Sequence, residues 1–217
     1  MRDNPWMAAT RSYGGESAAE RRARRRAALI EAALDLMAEG GPNAVTKRAV
    51  CGRARLNDRY FYEHFADRDA ILEALAQEVT GQGLEAVVTA ALAPAPDTRA
   101  QVHASVVAAV DFMLADPRRG KLLLQANSSE VLQRSRVTNT RTIANVMAAM
   151  TRDLLDDRAP SQLDTDMAAF AAVSGVMELF AAWLRGEYPT GRAHLVELIT
   201  AMLLAGIDLS AQLPAES

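Results

Sequence analysis

Apolar residues recur at helical spacing along most of the chain. Ile30, Leu34 and Met37, for example, lie four and three residues apart, which places them on one face of an α-helix. No alternating run rich in Val, Ile and Thr and bounded by turns interrupts this pattern, so essentially no strand is expected. The sequence therefore predicts an all-α protein.

Capping and breaking residues divide the pattern into about nine helices. Ser17 with Glu20 three residues later makes a capping box, and Gly40, Gly41 and Pro42 end the first helix. The predicted helices cover about 17–40, 46–54, 57–64, 67–92, 97–115, 118–125, 129–157, 163–185 and 192–209. Residues 1–16 show no periodicity and are predicted to form a flexible arm.

The charge is unevenly distributed. The whole chain has a formal net charge of −3, from 24 Lys and Arg against 27 Asp and Glu. Residues 1–72 hold 13 basic against 10 acidic residues, a net charge of +3, whereas the remainder has a net charge of −6. The basic run at positions 21–26 has two interpretations, a solvated helix end or a contact with nucleic acid.

The segment Thr46–Phe65 predicts two short helices joined by a tight turn at Arg55-Leu56. Cys51 and Ala54 are small and let the two helices approach closely. Leu56, Phe61 and Phe65 are placed to close a small core with them. This is the arrangement of a helix-turn-helix, whose second helix fits the major groove of DNA. Cys51 is interpreted as core packing and not as a redox sensor.

The stretch from Gly41 to Leu72 resembles the DNA-binding end of TetR-family transcriptional regulators. Matching pieces are Thr46, Arg48, Val50, Arg53-Ala54, Tyr62, His64-Phe65 and Asp67–Leu72, and the helix over 26–41 resembles the family's first helix. The resemblance implies a three-helix DNA-binding domain over 17–80 and a helical ligand-binding and dimerisation domain over 81–217. It also implies a homodimer that binds a double-stranded, near-palindromic operator.

Nine residues of the first domain are candidates for DNA contact. Arg59 and Tyr60 begin the second short helix, where side chains reach base edges, and arginine suits the two acceptors of guanine. The full set is Thr46, Lys47, Arg48, Asn57, Arg59, Tyr60, Tyr62, His64 and Arg68. For His64, packing between helices is the alternative to a phosphate contact.

The turn departs from the family's pattern at two positions. Arg55 stands where the family usually has glycine, which costs about 1 kcal/mol if the left-handed conformation is kept. Asp58 brings a negative charge towards DNA, and Arg59 is placed to compensate for it.

Family resemblance also implies an effector pocket in the second domain. Methionine adapts to varied apolar ligands, although ordinary core packing is the alternative for any one of them. The predicted wall is Phe112, Met113, Asn145, Met147, Met150, Phe170, Met177 and Glu178, with Asn145 and Glu178 as polar anchors. The predicted dimer interface is Phe180, Trp183, Leu184, Leu195, Leu198, Ile199, Met202 and Leu203.

Other classes of protein find little support in the sequence. No stretch of about 18 apolar residues lacks a charge and the chain does not start like a signal peptide, so a cytoplasmic protein without membrane spans is predicted. The three histidines form no metal-binding pair, and neither a cofactor nor a catalytic site is expected. The hypothesis is a repressor released by a small apolar effector. A helical ligand-binding protein that no longer binds DNA is the alternative, and a helical enzyme is the third possibility.

Overall fold

The computed structural model describes residues 17–155 and 161–210. Within these ranges the chain forms nine α-helices and one 3₁₀ turn, with no strand, so the predicted all-α class is confirmed. The helices are α1 (Ala18–Gly40), α2 (Lys47–Ala54), α3 (Asp58–Tyr62), α4 (Arg68–Leu92), α5 (Thr98–Ala115), α6 (Pro117–Leu124), α7 (Glu130–Leu155), α8 (Gln162–Leu184) and α9 (Arg192–Ser210), and the 3₁₀ turn is Pro42–Ala44. The predicted flexible arm, residues 1–16, lies outside the described residues.

The helices begin where the capping residues predict. Ser17 Oγ accepts a hydrogen bond from the backbone N–H of Glu20 at 3.1 Å, and the Glu20 carboxylate accepts one from the Ser17 N–H at 2.6 Å. Thr46, Asn57 and Asp67 cap α2, α3 and α4 in the same way. These caps satisfy backbone donors that the first turn of a helix leaves free. Helix α3 ends at Tyr62, two residues before the predicted end.

The first four helices enclose a buried apolar core. Val50 and Phe61 are completely buried in it, and Cys51 and Phe65 are nearly so. Ala54 and Leu56 pack against this cluster from the turn, as the sequence predicts. Burial also raises the pKa of the Cys51 thiol, which fits a packing role for this residue.

The same core continues beyond the helix-turn-helix segment. Leu122 of α6 and Val131 and Leu132 of α7 belong to one buried cluster with Leu29 and Leu75. The predicted boundary at residue 80 falls inside α4, which runs without interruption from the first domain to the second. Movements of α6 or α7 therefore act on α1 and α4, the helices that pack around the helix-turn-helix.

The second domain consists of α5 to α9 and the end of α4. Helix α5 packs along α4 and α9, and α8 packs between α7 and α9. A second buried cluster holds α5 against these helices, with Val106 and Val110 at its centre. Together the six helices surround an internal cavity.

Helix α8 is unusually apolar. In the described part of the chain it is the helix that is long and apolar enough to cross a membrane, with a mean hydropathy of 1.7 over its most apolar window. It also carries Asp164, Asp166 and Glu178. One such helix is weak evidence for a membrane span, and α8 packs between α7 and α9, so it does not indicate a membrane protein.

Candidate DNA-binding surface and internal cavity

The turn between α2 and α3 keeps a left-handed residue at Arg55. Its φ and ψ are 55° and 41°, and it is the one non-glycine residue with positive φ in the described ranges. The N–H of Leu56 closes the end of α2 by donating to the Cys51 carbonyl at 3.0 Å. The turn therefore has the geometry of a glycine turn, with arginine bearing its conformational cost of about 1–2 kcal/mol.

Helix α3 presents its polar face to solvent. The Arg59 side chain is 84% exposed and reaches back to Glu63 with 3.4 Å between Nε and Oε1. Tyr62 is also exposed. Asn57 is engaged as the cap, because its Oδ1 accepts from the Tyr60 N–H at 3.3 Å. The exposed residues of α3 are thus free to meet a groove, while Asn57 fixes where the helix begins.

Lys47 and Asp58 form an ion pair across the two short helices. Lys47 Nζ lies 2.6 Å from Asp58 Oδ2 and 3.4 Å from the Tyr62 hydroxyl. The hydrogen bond from Lys47 lowers the pKa of Asp58, and the same contact raises the pKa of Lys47. Lys47 thus compensates the negative charge that the sequence brings towards DNA, a role that the sequence had suggested for Arg59. Thr46 and Arg48, beside this pair, are exposed.

Arginines of the basic run hold α3 and α4 in place. Arg22 donates to the Glu63 carbonyl at 3.1 Å, and the Arg25 guanidinium lies 4.5 Å from the centre of the Tyr60 ring. Arg26 forms an ion pair with Glu78 at 3.1 Å. These contacts exclude a merely solvated helix end for the three residues, and they place positive charge beside α3.

Two predicted phosphate contacts are corrected by the structure. The Nε2 atom of His64 is buried and has no hydrogen-bond partner among the described residues. Burial, with Arg22 nearby, lowers the pKa of His64, so the ring is a neutral packing element. Arg68 points inward and donates to the carbonyls of Pro42 at 2.6 Å and Val45 at 3.1 Å. Arg68 therefore stabilises the 3₁₀ turn, because its guanidinium supplies the hydrogen-bond donors that these two carbonyls need.

Comparison with known proteins shows what the segment that carries α2 and α3 is similar to. Residues 29–75 match the family model of the bacterial regulatory proteins of the tetR family. The chain is 28% identical over 171 residues to the HTH-type transcriptional regulator BetI of Burkholderia ambifaria (strain MC40-6), covering 77% of this chain and 84% of that protein. Residues 29–75 therefore form a TetR-type DNA-binding segment, and the comparisons support a TetR-family transcriptional regulator. The chain is thus a DNA-binding regulator with a TetR-type helix-turn-helix.

Two solved regulators share the fold of most of this chain. The fatty acid degradation regulator FadR from Bacillus halodurans superposes with a TM-score of 0.69 at 19% sequence identity, over 83% of this chain and 98% of that one. FadR from Bacillus subtilis in complex with stearoyl-CoA gives a TM-score of 0.68 at 17% identity, with the same coverage of both chains. At these identities the likeness extends to the fold alone.

The second domain contains a partly open cavity of about 360 Å³. This volume lies in the range of small-molecule sites, and the lining is predominantly apolar. Helices α4 to α9 all contribute to the wall. Of the predicted wall residues, the structure brings together Phe112, Met113, Met147, Met150 and Met177.

Three predicted wall residues lie outside the cavity. Asn145 is exposed on the far side of α7, because the inward stripe of that helix runs through Ile143, Val146 and Met150 at helical spacing. Phe170 is 42% exposed on α8. Glu178 points to solvent and pairs with Arg185 at 3.4 Å, so neither predicted polar anchor reaches the cavity.

The polar groups of the wall were missed by the sequence analysis. Arg119 donates from Nη1 to the Phe112 carbonyl at 2.5 Å, and its guanidinium lies 3.9 Å from the centre of the Phe112 ring. Arg136 and Asn139 border the cavity on α7. The helical phase of α7 was the available signal, since positions 136, 139, 143, 146 and 150 form one stripe.

The predicted dimer interface is largely interior. Phe180, Leu195 and Ile199 are buried in the second domain, with Trp183, Leu184 and Leu203 packed against them. Phe180, Ile199 and Leu203 also line the cavity. This corrects the prediction for Phe180, Leu195 and Ile199, which are turned towards α5, whereas Trp183, Leu184 and Leu203 are partly exposed and stay predicted interface residues.

Exposed apolar side chains lie on the opposite sides of the same two helices. Leu198 and Met202 of the predicted interface are 41% and 45% exposed. Helix α8 adds Leu163, Met167 and Phe170, which are more than 40% exposed and spaced four and three residues apart. We call these five residues the surface stripe. Sequence analysis missed the α8 part because α8 is apolar on both sides.

Proposed function

We propose that this protein is a homodimeric repressor that acts in the cytoplasm and leaves its operator when a small apolar effector enters the cavity. The observation that carries the proposal is the exposed face of α3, held by capped turns and by arginines of α1. Each copy places one such helix on DNA, so a dimer reads a near-palindromic double-stranded site. The proposal includes no catalytic role, in keeping with a family of regulators.

Arg59 is the proposed base-reading residue, with Tyr60 beside it at the start of α3. Its side chain is the most exposed of the ion-paired side chains on α3, and its guanidinium suits the O6 and N7 acceptors of guanine. Thr46, Lys47, Arg48 and Tyr62 are proposed to contact phosphates, which positions the helix without reading sequence. Asn57 supports this surface as the cap of α3.

A mobility-shift titration with the DNA upstream of the gene tests the proposal. We expect Arg59→Ala to weaken operator binding by about 1–3 kcal/mol and to relax preference at one base position. Arg141→Ala, an exposed arginine of α7, is the matched control and should leave binding unchanged. Equal losses on operator and random DNA would remove the base-reading role. No binding by the unchanged protein would favour a ligand-binding protein that has lost DNA binding.

The surface stripe supports the homodimer. Two helices from each copy, packed through an apolar face, make a four-helix interface of the kind common in symmetric dimers. Light scattering at micromolar concentration should give a mass of about twice 23.4 kDa. Phe170→Asp should shift the mass to that of one chain, because a buried unpaired charge is costly. Leu92→Asp, at an exposed position far from the stripe in sequence, should leave the mass unchanged.

The cavity supports effector control. Its wall includes residues of α4 and α6, the helices that join or touch the DNA-binding domain. The proposal is supported by FadR from B. subtilis, a protein of the same fold that was solved in complex with stearoyl-CoA, a ligand with a long apolar chain. A ligand that favours one orientation of the two α3 helices must weaken operator binding, and operator must weaken ligand binding by the same factor. Calorimetric titration of a ligand with and without operator DNA measures this factor. Equal affinities in the two titrations would contradict effector control.

A further inference from the structure

Arg136, a half-buried residue of the cavity wall, has a guanidinium nitrogen without a hydrogen-bond partner in the described part of the chain. Its Nε atom is buried, and it lacks a hydrogen-bond partner among the described residues. It is the one such buried atom in the described ranges that belongs to a cavity-lining residue. A guanidinium stays charged at every physiological pH, so the group cannot relieve its burial by losing a proton.

Nothing in the cavity wall balances this charge. The described lining contains Arg119 and Arg136 but neither Asp nor Glu. Arg119 is already occupied by the Phe112 carbonyl and ring. A charge left without a partner in an apolar environment destabilises the protein, and an anionic ligand would remove that penalty on binding.

Arg136 and Asn139 of α7 lie at the end of the cavity near the DNA-binding domain, whereas the polar residues elsewhere in the described wall are uncharged apart from Arg119. Arg136 follows Leu132 by one helical turn, and Leu132 belongs to the core of that domain. Asn139, on the same face, donates from Nδ2 to the Ala76 carbonyl at 3.2 Å, one residue after core residue Leu75. The opposite end of the α7 stripe carries Met147 and Met150.

The cavity is elongated along α7. The lining residues of this helix run from Leu132 to Thr151, which spans about 28 Å at 1.5 Å per residue. Beyond the Arg136 end, the wall is formed mainly by aliphatic side chains of α5, α7 and α8. The shape and polarity therefore match a chain-like apolar molecule with one charged end.

We infer that the effector is an amphipathic carboxylate whose anionic group pairs with Arg136 while its apolar chain extends along α7. This inference rests on the proposal that the cavity is the effector site, and it adds the chemical class of the ligand. The free Nε and a neighbouring Nη of a guanidinium form a planar fork that binds both carboxylate oxygens. The pairing places the charge of the ligand beside the DNA-binding domain and its tail towards α8.

Calorimetric titration with decanoate and with decanol separates the headgroup from the tail. The two probes share a ten-carbon chain and differ in charge. We expect decanoate to bind at least tenfold more tightly than decanol, as charged hydrogen bonds are worth about 1.5–3 kcal/mol. Arg136→Met should remove this preference by weakening decanoate binding, with decanol affinity kept within about threefold because methionine preserves the apolar volume.

Two further variants make the outcomes decisive. Arg141→Met, an exposed position on the same helix, should retain the wild-type preference. Arg136→Gln, checked by thermal melting, replaces Arg136→Met if that variant does not fold. Equal binding of the two probes by the wild type, or a preference that survives loss of Arg136, would overturn the inference and leave the apolar effector site intact. Failure of both probes to bind would contradict the inference and the effector site together.

Discussion

Arg118 on α6 and Asp35 on α1 form an ion pair with 2.5 Å between Nη1 and Oδ1. The other carboxylate oxygen of Asp35 lies 3.3 Å from Nη1 of Arg53 on α2. Arg119, the residue after Arg118, stacks on Phe112 in the cavity wall. Charged contacts thus connect the wall of the cavity to the first helix of the helix-turn-helix.

We expect Arg118→Met to reduce communication between the two domains. The variant keeps the bulk of the side chain but loses the contacts to Asp35 and Glu31. The factor by which a cavity ligand weakens operator binding, typically about 5–150-fold, should fall towards one. Fluorescence anisotropy of labelled operator, with and without ligand, measures this factor. Arg134→Met, which breaks an exposed pair with Glu130, is the control, and equal coupling in the two variants would contradict the role of Arg118.

Asp58→Asn should strengthen binding to any DNA. The carboxylate is ionised at neutral pH, the hydrogen bond from Lys47 lowers its pKa further, and the ion pair neutralises the charge of that lysine. With Asp58 neutral, Lys47 is released towards a phosphate, so the slope of log affinity against log salt should steepen by about 0.9. Salt titrations on operator and random DNA test this. Asp153→Asn, an exposed change near the end of α7, should alter neither slope, and an unchanged slope for Asp58→Asn would refute the compensation.

Arg55→Gly should stabilise the protein by about 0.5–1 kcal/mol. Glycine adopts the left-handed conformation without a steric penalty, although it gains some entropy in the unfolded chain. Urea unfolding measures the change in the free energy of unfolding. Arg55→Ala should bring no comparable gain, because alanine meets the same steric penalty as arginine. Similar gains for alanine and glycine would show that the arginine side chain, and not the backbone, is the source of strain.

Acidic pH should destabilise the protein through His64. Its folded-state pKa is lowered by burial, so the unfolded chain binds a proton more readily than the folded one. The contribution is fully present above the usual histidine pKa of about 6.5 and is lost as pH falls through the lower folded-state value. His64→Gln should flatten the fall in melting temperature across this range, whereas His194→Gln, at an exposed position, should not. Identical pH profiles for wild type and His64→Gln would contradict this account.

Local signals predicted the DNA-binding domain well. Capping depends on residues three positions apart, so Ser17, Asn57 and Asp67 located their helices from the sequence alone. The core around Phe61 followed from helical spacing. The placement of the polar side chains did not follow from local signals. Arg68 donates to the Pro42 carbonyl, 26 positions away in sequence, and Nε2 of His64 is buried without a partner among the described residues.

The second domain was less predictable for a physical reason. A helix that is apolar on one side reveals its buried face, but α8 is apolar on two sides. Phe170 and Phe180 are equally apolar, yet one is exposed and the other lines the cavity. Only the packing of α5 and α7 against α8 decides which side is which, and that information is spread over the whole chain.

The sequence of α8 is constrained in two ways, because the two sides of this helix have different neighbours. Val173 and Val176 border the cavity, whereas Met167 and Phe170 lie on the surface stripe. A change of side-chain volume on the cavity side shifts the helix by a fraction of its diameter and alters the fit of the other side. Divergence of a duplicated copy towards a new effector would thus also weaken its pairing with the original. In the proposed dimer, the cavity and the pairing surface therefore cannot vary independently, because they share one helix.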